Sequence, residues 1–292
     1  MRKFVPVLFG LGGFLLVAGL VAALWAPGTV EKTPLDVNST TRLSGQAQKL
    51  NTASGQLESN PVKAVSITKA DSKVSDGSVV AFTNSSCLVI DTGNPPACVD
   101  GKDPRLVSAS TDVFATNRKT ALSVNSGKYL PSDATPHQGL VNKWPFNAQK
   151  RTYAYWDGTA GKAVDAAYKR TTTLRGLEVY VYEVSVSKAP IDIAEGIKGT
   201  YDDAKQIFVD PRTGTIIDQK DSQQRALESG QKVLDLKLDF TDQQVAANVK
   251  DTQDNIKQLD LVTRTVPLVG IVGGVLCLVL ATVLLVLRRR RD

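Results

Sequence analysis

Apolar residues are concentrated at the two ends of the chain. One uncharged run extends from Phe4 to Ala26, and a second extends from Val266 to Leu287. At about 1.5 Å per residue, each run is long enough to cross a hydrocarbon core of about 30 Å as a helix. The pattern therefore predicts transmembrane helices over residues 4–26 and 266–287, with the residues between them outside the membrane.

The residues between these runs predict strands. Thr, Val, Ser and Tyr are frequent as far as Asp239, and turn residues recur at short intervals. Val179–Val186 is the clearest strand. Val233–Phe240 alternates apolar with charged residues, which places four apolar side chains on one face of a half-buried strand, namely Leu234, Leu236, Leu238 and Phe240.

A helix is predicted directly after this strand. Thr241 is a suitable N-cap, and Gln244 three residues later completes a capping box. Apolar residues then recur at helical spacing, which predicts a helix over about 242–263, before Pro267. The fold class is therefore α+β: a β-rich domain over residues 27–264, which begins with an extended linker at 27–34 and is anchored by one transmembrane helix at each end.

The segment Ile207–Asp218 predicts a hairpin. Its turn, Asp-Pro-Arg-Thr-Gly, combines a proline that presets one corner with a glycine that tolerates positive φ. Similar strand–turn–strand segments surround Asn117 and Asp157, with Ala121 in place of the glycine in the first. A turn that occurs three times indicates framework rather than a catalytic centre, whether the segments are a true repeat or independent turns.

The positive charge lies at the termini. Of 35 Lys and Arg residues, six flank the apolar runs, which leaves 29; removing Asp292 from 29 acidic residues leaves 28, so the middle carries about +1. This balance excludes the basic face that a nucleic-acid partner requires. Basic residues stay on the cytoplasmic side, so residues 1–3 and 288–292 are predicted to be cytoplasmic and the domain extracytoplasmic. A cleaved signal peptide, with Val21–Ala23 before the cut, is the alternative for the first run.

The cysteines fit an exported domain. Cys87 and Cys98 enclose a short loop and predict a disulfide, with two free thiols as the alternative. A metal site is disfavoured because the chain has one histidine and no second cysteine pair. Cys277 falls in the second apolar run and is predicted to be inert.

Signs of catalysis are scarce in the sequence. It lacks a Gly-x-Ser-x-Gly elbow, a phosphate-binding glycine loop and a zinc-binding histidine pair. His137 is predicted to lie in a surface loop, and Asp202 and Asp203 in a turn where they point to opposite faces. We therefore predict that the protein is not an enzyme and needs no cofactor, although carboxylates far apart in sequence could still form a glycosidase pair.

Aromatic residues are densest between residues 144 and 156. Aromatic rings with polar tips suit contact with carbohydrate or glycolipid, and equally suit an ordinary sheet core. The ligand-binding candidates are Trp144, Phe146, Tyr153, Tyr155 and Trp156. The apolar runs also contain small residues, including Gly270–Gly274 in a GxxxG pattern, which indicates that the two helices pack together or against a partner.

Four segments carry a family resemblance. They are Lys143–Phe146, Arg151–Asp157, Gly176–Tyr182 and Val209–Gly214. With the two apolar ends, they resemble an actinobacterial envelope family of unknown function that is labelled porin PorA. The resemblance implies an inner-membrane protein with a periplasmic domain, linked to trafficking of trehalose monomycolate and to lipoglycan assembly.

We therefore expect a non-catalytic envelope protein whose domain binds or helps to traffic a mycolate glycolipid. Expected partners are that lipid and the transporter that exports it, or proteins of cell-wall synthesis. A scaffold for wall or lipoglycan synthesis is the alternative, and a pore or a glycan enzyme is less favoured. A continuous apolar cavity would favour the carrier, and a polar cleft with converging carboxylates would favour the enzyme.

Overall fold

The computed structural model describes residues 4–290. It divides into two compact units. One contains the residues up to Lys32 and those from Gln253 onward, and the other is Thr33–Thr252. The basic residues Arg2, Lys3 and Arg291, on which the predicted orientation partly depends, lie outside the described residues.

The helical unit is built from two apolar helices that contact each other closely. Helix α1 is Phe4–Val30 and helix α3 is Val266–Arg289. A Cβ atom added to Gly19 would lie 2.8 Å from the backbone nitrogen of Ile271, and one added to Gly274 would lie 2.7 Å from that of Leu16. Only glycine allows this approach, so the predicted pairing of the two apolar segments through small residues is confirmed.

Two helix boundaries differ from the prediction. Helix α1 continues through Pro27 to Val30, where an extended linker was expected. Helix α2, Asp242–Asp260, is followed by a π-helical turn, Leu261–Thr265, that leads into α3. Proline lacks the N–H that an α-helix uses, and the wider π turn ahead of Pro267 lets the helical path continue where a break was expected.

The other unit contains one antiparallel sheet of ten strands, in the order β4-β3-β2-β1-β10-β9-β8-β7-β6-β5. Their bounds are β1 Asn38–Leu50, β2 Leu57–Asp71, β3 Val79–Ile90, β4 Leu106–Asn117, β5 Tyr153–Asp157, β6 Lys162–Leu174, β7 Leu177–Ala194, β8 Ile197–Val209, β9 Ile216–Leu227 and β10 Lys232–Phe240. The sheet curves into a half-barrel, which confirms the β-rich part of the predicted fold class.

The segment between β4 and β5 joins the two edges of the sheet at one end. Thr116 pairs with Ser123, Leu122 pairs with Leu140, and Leu140 pairs in parallel with Tyr155. Trp144, which is fully buried, lies in the apolar cluster that this segment forms with the inner face of the sheet. The half-barrel is therefore filled at this end, and its concave face continues beyond the filled part.

The local predictions for strands, turns and the helix cap are largely confirmed. Strand β7 contains Val179–Val186, and β10 buries Leu234, Leu236 and Leu238 on one face. Strands β8 and β9 form the predicted hairpin, with Gly214 at φ +74°. At the start of α2, the Gln244 amide donates to Thr241 Oγ1 at 3.2 Å, but the Gln244 side chain accepts from the Arg42 amide instead of closing a capping box.

Three turns share the same side-chain-to-backbone hydrogen bond. The side-chain oxygens of Asn117, Asp157 and Asp210 each accept a hydrogen bond from a backbone amide three residues later. The position that follows is left-handed in all three, at Ala121, Gly161 and Gly214. Because Asp210 also accepts from Thr213 Oγ1 and is almost fully buried, the Asp-Pro-Arg-Thr-Gly turn is structural framework.

Candidate functional site

The inner face of the half-barrel presents side chains in rows that run across neighbouring strands. Residues directly opposite each other in register share a face of the sheet. Leu238 lies opposite Asp221, which lies opposite Lys205; Leu234 lies opposite Arg225, which lies opposite Tyr201. Each row therefore changes from apolar on β10 to polar on β9 and β8.

The apolar side of the cleft is formed by strands β1, β2 and β10 and by one end of β3 and β4, whose Asn84, Ser110 and Asp112 line the polar recess instead. A recess of about 200 Å³ is lined by leucines and small residues, among them Leu43, Ala64, Leu88, Leu236 and Leu238. A second recess of about 380 Å³ continues along the hairpin ends, with Ile193, Ile197, Leu227 and Val233 in its lining. These recesses provide apolar surface for a hydrocarbon chain.

The polar side of the cleft is centred on a buried lysine. A recess of about 540 Å³ includes Lys205, Asp157 and Tyr201 in its lining. Lys205 Nζ lies 3.1 Å from Asp203 Oδ2, 3.4 Å from Asp221 Oδ2 and 3.9 Å from Asp157 Oδ2. Tyr201 also donates to Asp157 Oδ2 at 3.3 Å. Three carboxylates thus surround one ammonium group.

Burial and charge act in opposite directions in this cluster. Burial raises the pKa of Asp203 to about 7, with the Lys205 charge opposing the rise and the nearby Asp221 adding to it. Burial also lowers the pKa of Lys205, but the surrounding negative groups, Asp221 foremost, outweigh burial and hold it well above its ordinary value. Lys205 is therefore held in its charged form, and the pKa of Asp203 is raised toward neutral pH by its burial.

The prediction that His137 lies on the surface is wrong. The ring is 1 % exposed and lies beside the polar recess, 4.6 Å from the Trp156 ring and 5.6 Å from the Phe114 ring, measured between centroids. Its Nε2 is 2.8 Å from Asp112 Oδ2, and its Nδ1 is 2.8 Å from the carbonyl oxygen of Thr135. The segment between β4 and β5 folds back onto β4, and the local sequence, which predicts a loop here, does not indicate this contact.

The five predicted ligand-binding aromatics lie in three places, and Tyr155 borders two of them. Tyr155 and Trp156 line the polar recess. Trp144 and Tyr153 instead pack in the apolar cluster at the filled end, where Trp144 and Tyr155 rings stack at 5.4 Å. Phe146 is partly buried under Lys143, whose Nζ is 4.0 Å from the ring centroid. Ligand contact by these residues stays a prediction.

The charged residues of the cleft were not among the sequence candidates. Asp202 and Asp203 point to opposite faces as predicted, but they lie within β8 instead of a turn. The missed signal was a period of two: Asp203 and Lys205 share the inner face of β8, and charged or amide side chains alternate in the same way on β9 at Asp221, Gln223 and Arg225.

The predicted disulfide is present. Cys87 of β3 is bonded to Cys98, with a Cα–Cα distance of 5.7 Å. Cys277 is a free thiol in α3. No group of histidine, cysteine or acidic side chains that could hold a metal ion occurs within residues 4–290.

Together these features define a class of protein. It has a half-barrel domain with an amphiphilic cleft, and two apolar helices long enough to span a membrane. Residues 4–283 match the family described as porin PorA, and the chain belongs to that family. No curated protein shows significant similarity to the chain.

Proposed function

We propose that the half-barrel is a non-catalytic binding domain that shields the hydrocarbon chain of an amphiphile. We further propose that the amphiphile is a mycolate glycolipid such as trehalose monomycolate, carried at the outer face of the inner membrane. The observation that carries the first proposal is the change along the cleft from leucine-lined recesses to a charged recess. The family resemblance supports the choice of lipid and of compartment.

The energetics favour a lipid chain in the apolar recesses. Each CH₂ group moved from water to an apolar surface contributes about 0.8 kcal/mol, so roughly five to nineteen methylenes offset the about 4–15 kcal/mol that association costs, a number that a long acyl chain supplies. The polar recess of about 540 Å³ lies within the usual size range of small-ligand pockets. The domain would receive its lipid from the exporting transporter and hold the chain away from water.

The carboxylates of the cleft support binding more than catalysis. Asp203 and Asp221 both lie beside Lys205, so their negative charge is balanced within the protein by the lysine ammonium group. Of the three aspartates around Lys205, Asp157 alone belongs to the lining of the polar recess. A hydrolase that uses two carboxylates needs both to reach the bond that breaks. Asp112 also lines the recess, but its Oδ2 is held by His137 at 2.8 Å while Asp157 is held by Tyr201, and this arrangement favours a non-catalytic role.

Pore formation is the function that the family description suggests. A membrane barrel has an apolar outer face and a polar interior. Strand β10 has the reverse pattern, since Leu236 and Leu238 face inward while Lys237 and Asp239 are exposed on its outer face. We therefore favour lipid binding over pore formation by the sheet.

The test is native mass spectrometry of the full chain purified from a host that makes mycolate glycolipids, followed by lipid extraction. Ala64→Trp fills the apolar recess of about 200 Å³, whereas Gln46→Trp adds the same ring to the outer face of β1. Wild type and Gln46→Trp should retain one glycolipid, and Ala64→Trp should lose it. Circular dichroism checks that both variants are folded. Equal lipid retention in both variants, or none in wild type, would contradict the proposal.

A further inference from the structure

Arg225 occupies the point where the polar and apolar parts of the cleft meet. It projects from β9 between Leu234 of β10 and Tyr201 of β8. It lines the recess around Lys205, both apolar recesses and a fourth recess of about 430 Å³ beside Pro190. A ligand that extends from the polar to the apolar recesses must therefore pass this side chain.

The guanidinium group of Arg225 has few protein partners. Its Nη2 donates to Gln223 Oε1 at 3.4 Å, and its Cζ lies 6.0 Å from the centroid of the Tyr201 ring. Its Nε is buried and makes no hydrogen bond with any residue that the structure describes. No carboxylate within residues 4–290 pairs with it, since the nearby aspartates gather around Lys205. Most of its five N–H donors are thus available to a ligand.

The position of these donors indicates the group that they bind. In an amphiphile, the junction between head group and chain is a linkage that carries acceptor oxygens. The cleft already holds Asp112, Asp157 and Asp221 against the two cations Lys205 and Arg225, and Asp203 adds a partial negative charge. This excess of carboxylates disfavours an additional full negative charge and favours a neutral acceptor.

We propose that Arg225 is a ligand-binding residue that donates to the carbonyl oxygen of an acyl ester. The inference rests on the proposed function and deepens it, because it names the residue that recognises the linkage between head group and hydrocarbon chain. The hydrocarbon chain extends along Leu234 and Leu236, and the sugar lies toward Trp156 and Lys205.

The test compares two neutral probes that differ in their linkage. Sucrose monododecanoate is an acyl ester, and dodecyl maltoside is an alkyl glycoside with a similar disaccharide and chain. The full chain is held in nanodiscs with a photoreactive sucrose ester, and its crosslinks to β9 and β10 are mapped by mass spectrometry. Each compound is then added below its micellar concentration, and its affinity is measured from the loss of these crosslinks. Dodecyl phosphate is the anionic competitor. The variants are Arg225→Met, which keeps the apolar stem, and Lys237→Met, an outer-face control.

Wild type and Lys237→Met should bind the ester about tenfold more tightly than the glycoside, as expected for a charge-assisted hydrogen bond. Arg225→Met should lose that preference and keep its affinity for the glycoside. Equal affinity for both probes in wild type, or a preference that survives in Arg225→Met, would overturn the inference while leaving lipid binding intact. If dodecyl phosphate were the strongest competitor, the group bound by Arg225 would be an anion and not an ester, and the inference would be overturned. Absence of cleft crosslinks with every probe would refute the proposed function itself.

Discussion

Replacing Asp203 by asparagine should make the domain more stable at alkaline pH. The carboxylate is buried, and its Oδ1 has no hydrogen-bond partner among residues 4–290. Burial raises its pKa from 3.8 to about 7. Asparagine has nearly the same shape and keeps an acceptor oxygen near Lys205 Nζ, so the substitution mainly removes the cost of ionisation.

The sign and the size of the effect follow from this difference in pKa. Because the pKa of Asp203 is higher in the folded state, its contribution to stability is fully present below about pH 4 and is lost as the pH rises through about 7. A rise from 3.8 to about 7 corresponds to up to about 4 kcal/mol. Asp203→Asn should therefore match wild type near pH 4 and exceed it by up to about 4 kcal/mol near pH 8.

The assay is urea unfolding of the full chain in a mild nonionic detergent at several pH values, followed by far-UV circular dichroism of the sheet. Asp239→Asn, on the exposed outer face of β10, is the control and should leave the pH dependence unchanged. If Asp203→Asn were destabilised by the same amount at every pH, the side chain would be ionised throughout, and the argument for its raised pKa would fail.

Three further perturbations have defined outcomes. Gly214→Ala should destabilise the domain by several kcal/mol, because the added Cβ would lie 2.0 Å from the Trp144 carbonyl oxygen. Gly161→Ala is the control: its Cβ meets open space, so it should cost only about 1–2 kcal/mol for the positive φ. Thermal unfolding of the two variants measures the difference. Reduction of the disulfide, whose cysteines are 11 residues apart, should lower the free energy of unfolding by about 3 kcal/mol in urea titrations. Gly274→Val should separate α1 from α3 and weaken their cysteine crosslinking in membranes, while Gly273→Val, 3.8 Å from the nearest side chain, should not.

The sequence predicted the elements whose signal is local. The apolar helices, the strand within β7, the hairpin at Asp210 and the cap at Thr241 each depend on residues a few positions apart. The boundary at Pro27 was placed wrongly, because proline only biases a helix to end and neighbouring residues decided the outcome.

The cleft depends on contacts between residues that are far apart in the chain. Strand β1 pairs with β10 almost 200 residues later, so nothing local indicates the curvature of the sheet. Asp157 reaches Tyr201 across 44 residues, and His137 is buried by a contact with Asp112 on β4. Alternating charges on β8 and β9 were visible in the sequence, but only the register shows that they face the same space.

The central claim, that the inner face of the half-barrel holds a lipid, can be tested in living cells. A photoreactive amino acid is placed at Leu236, which faces the cleft, or at the neighbouring Lys237, which faces outward. Cells whose envelope lipids are labelled are irradiated. The full chain is then purified, and its lipid adducts are identified by mass spectrometry. Our account predicts an acylated-sugar adduct at position 236 and none at 237. Equal labelling at both positions, or lipid at 237 alone, would contradict it.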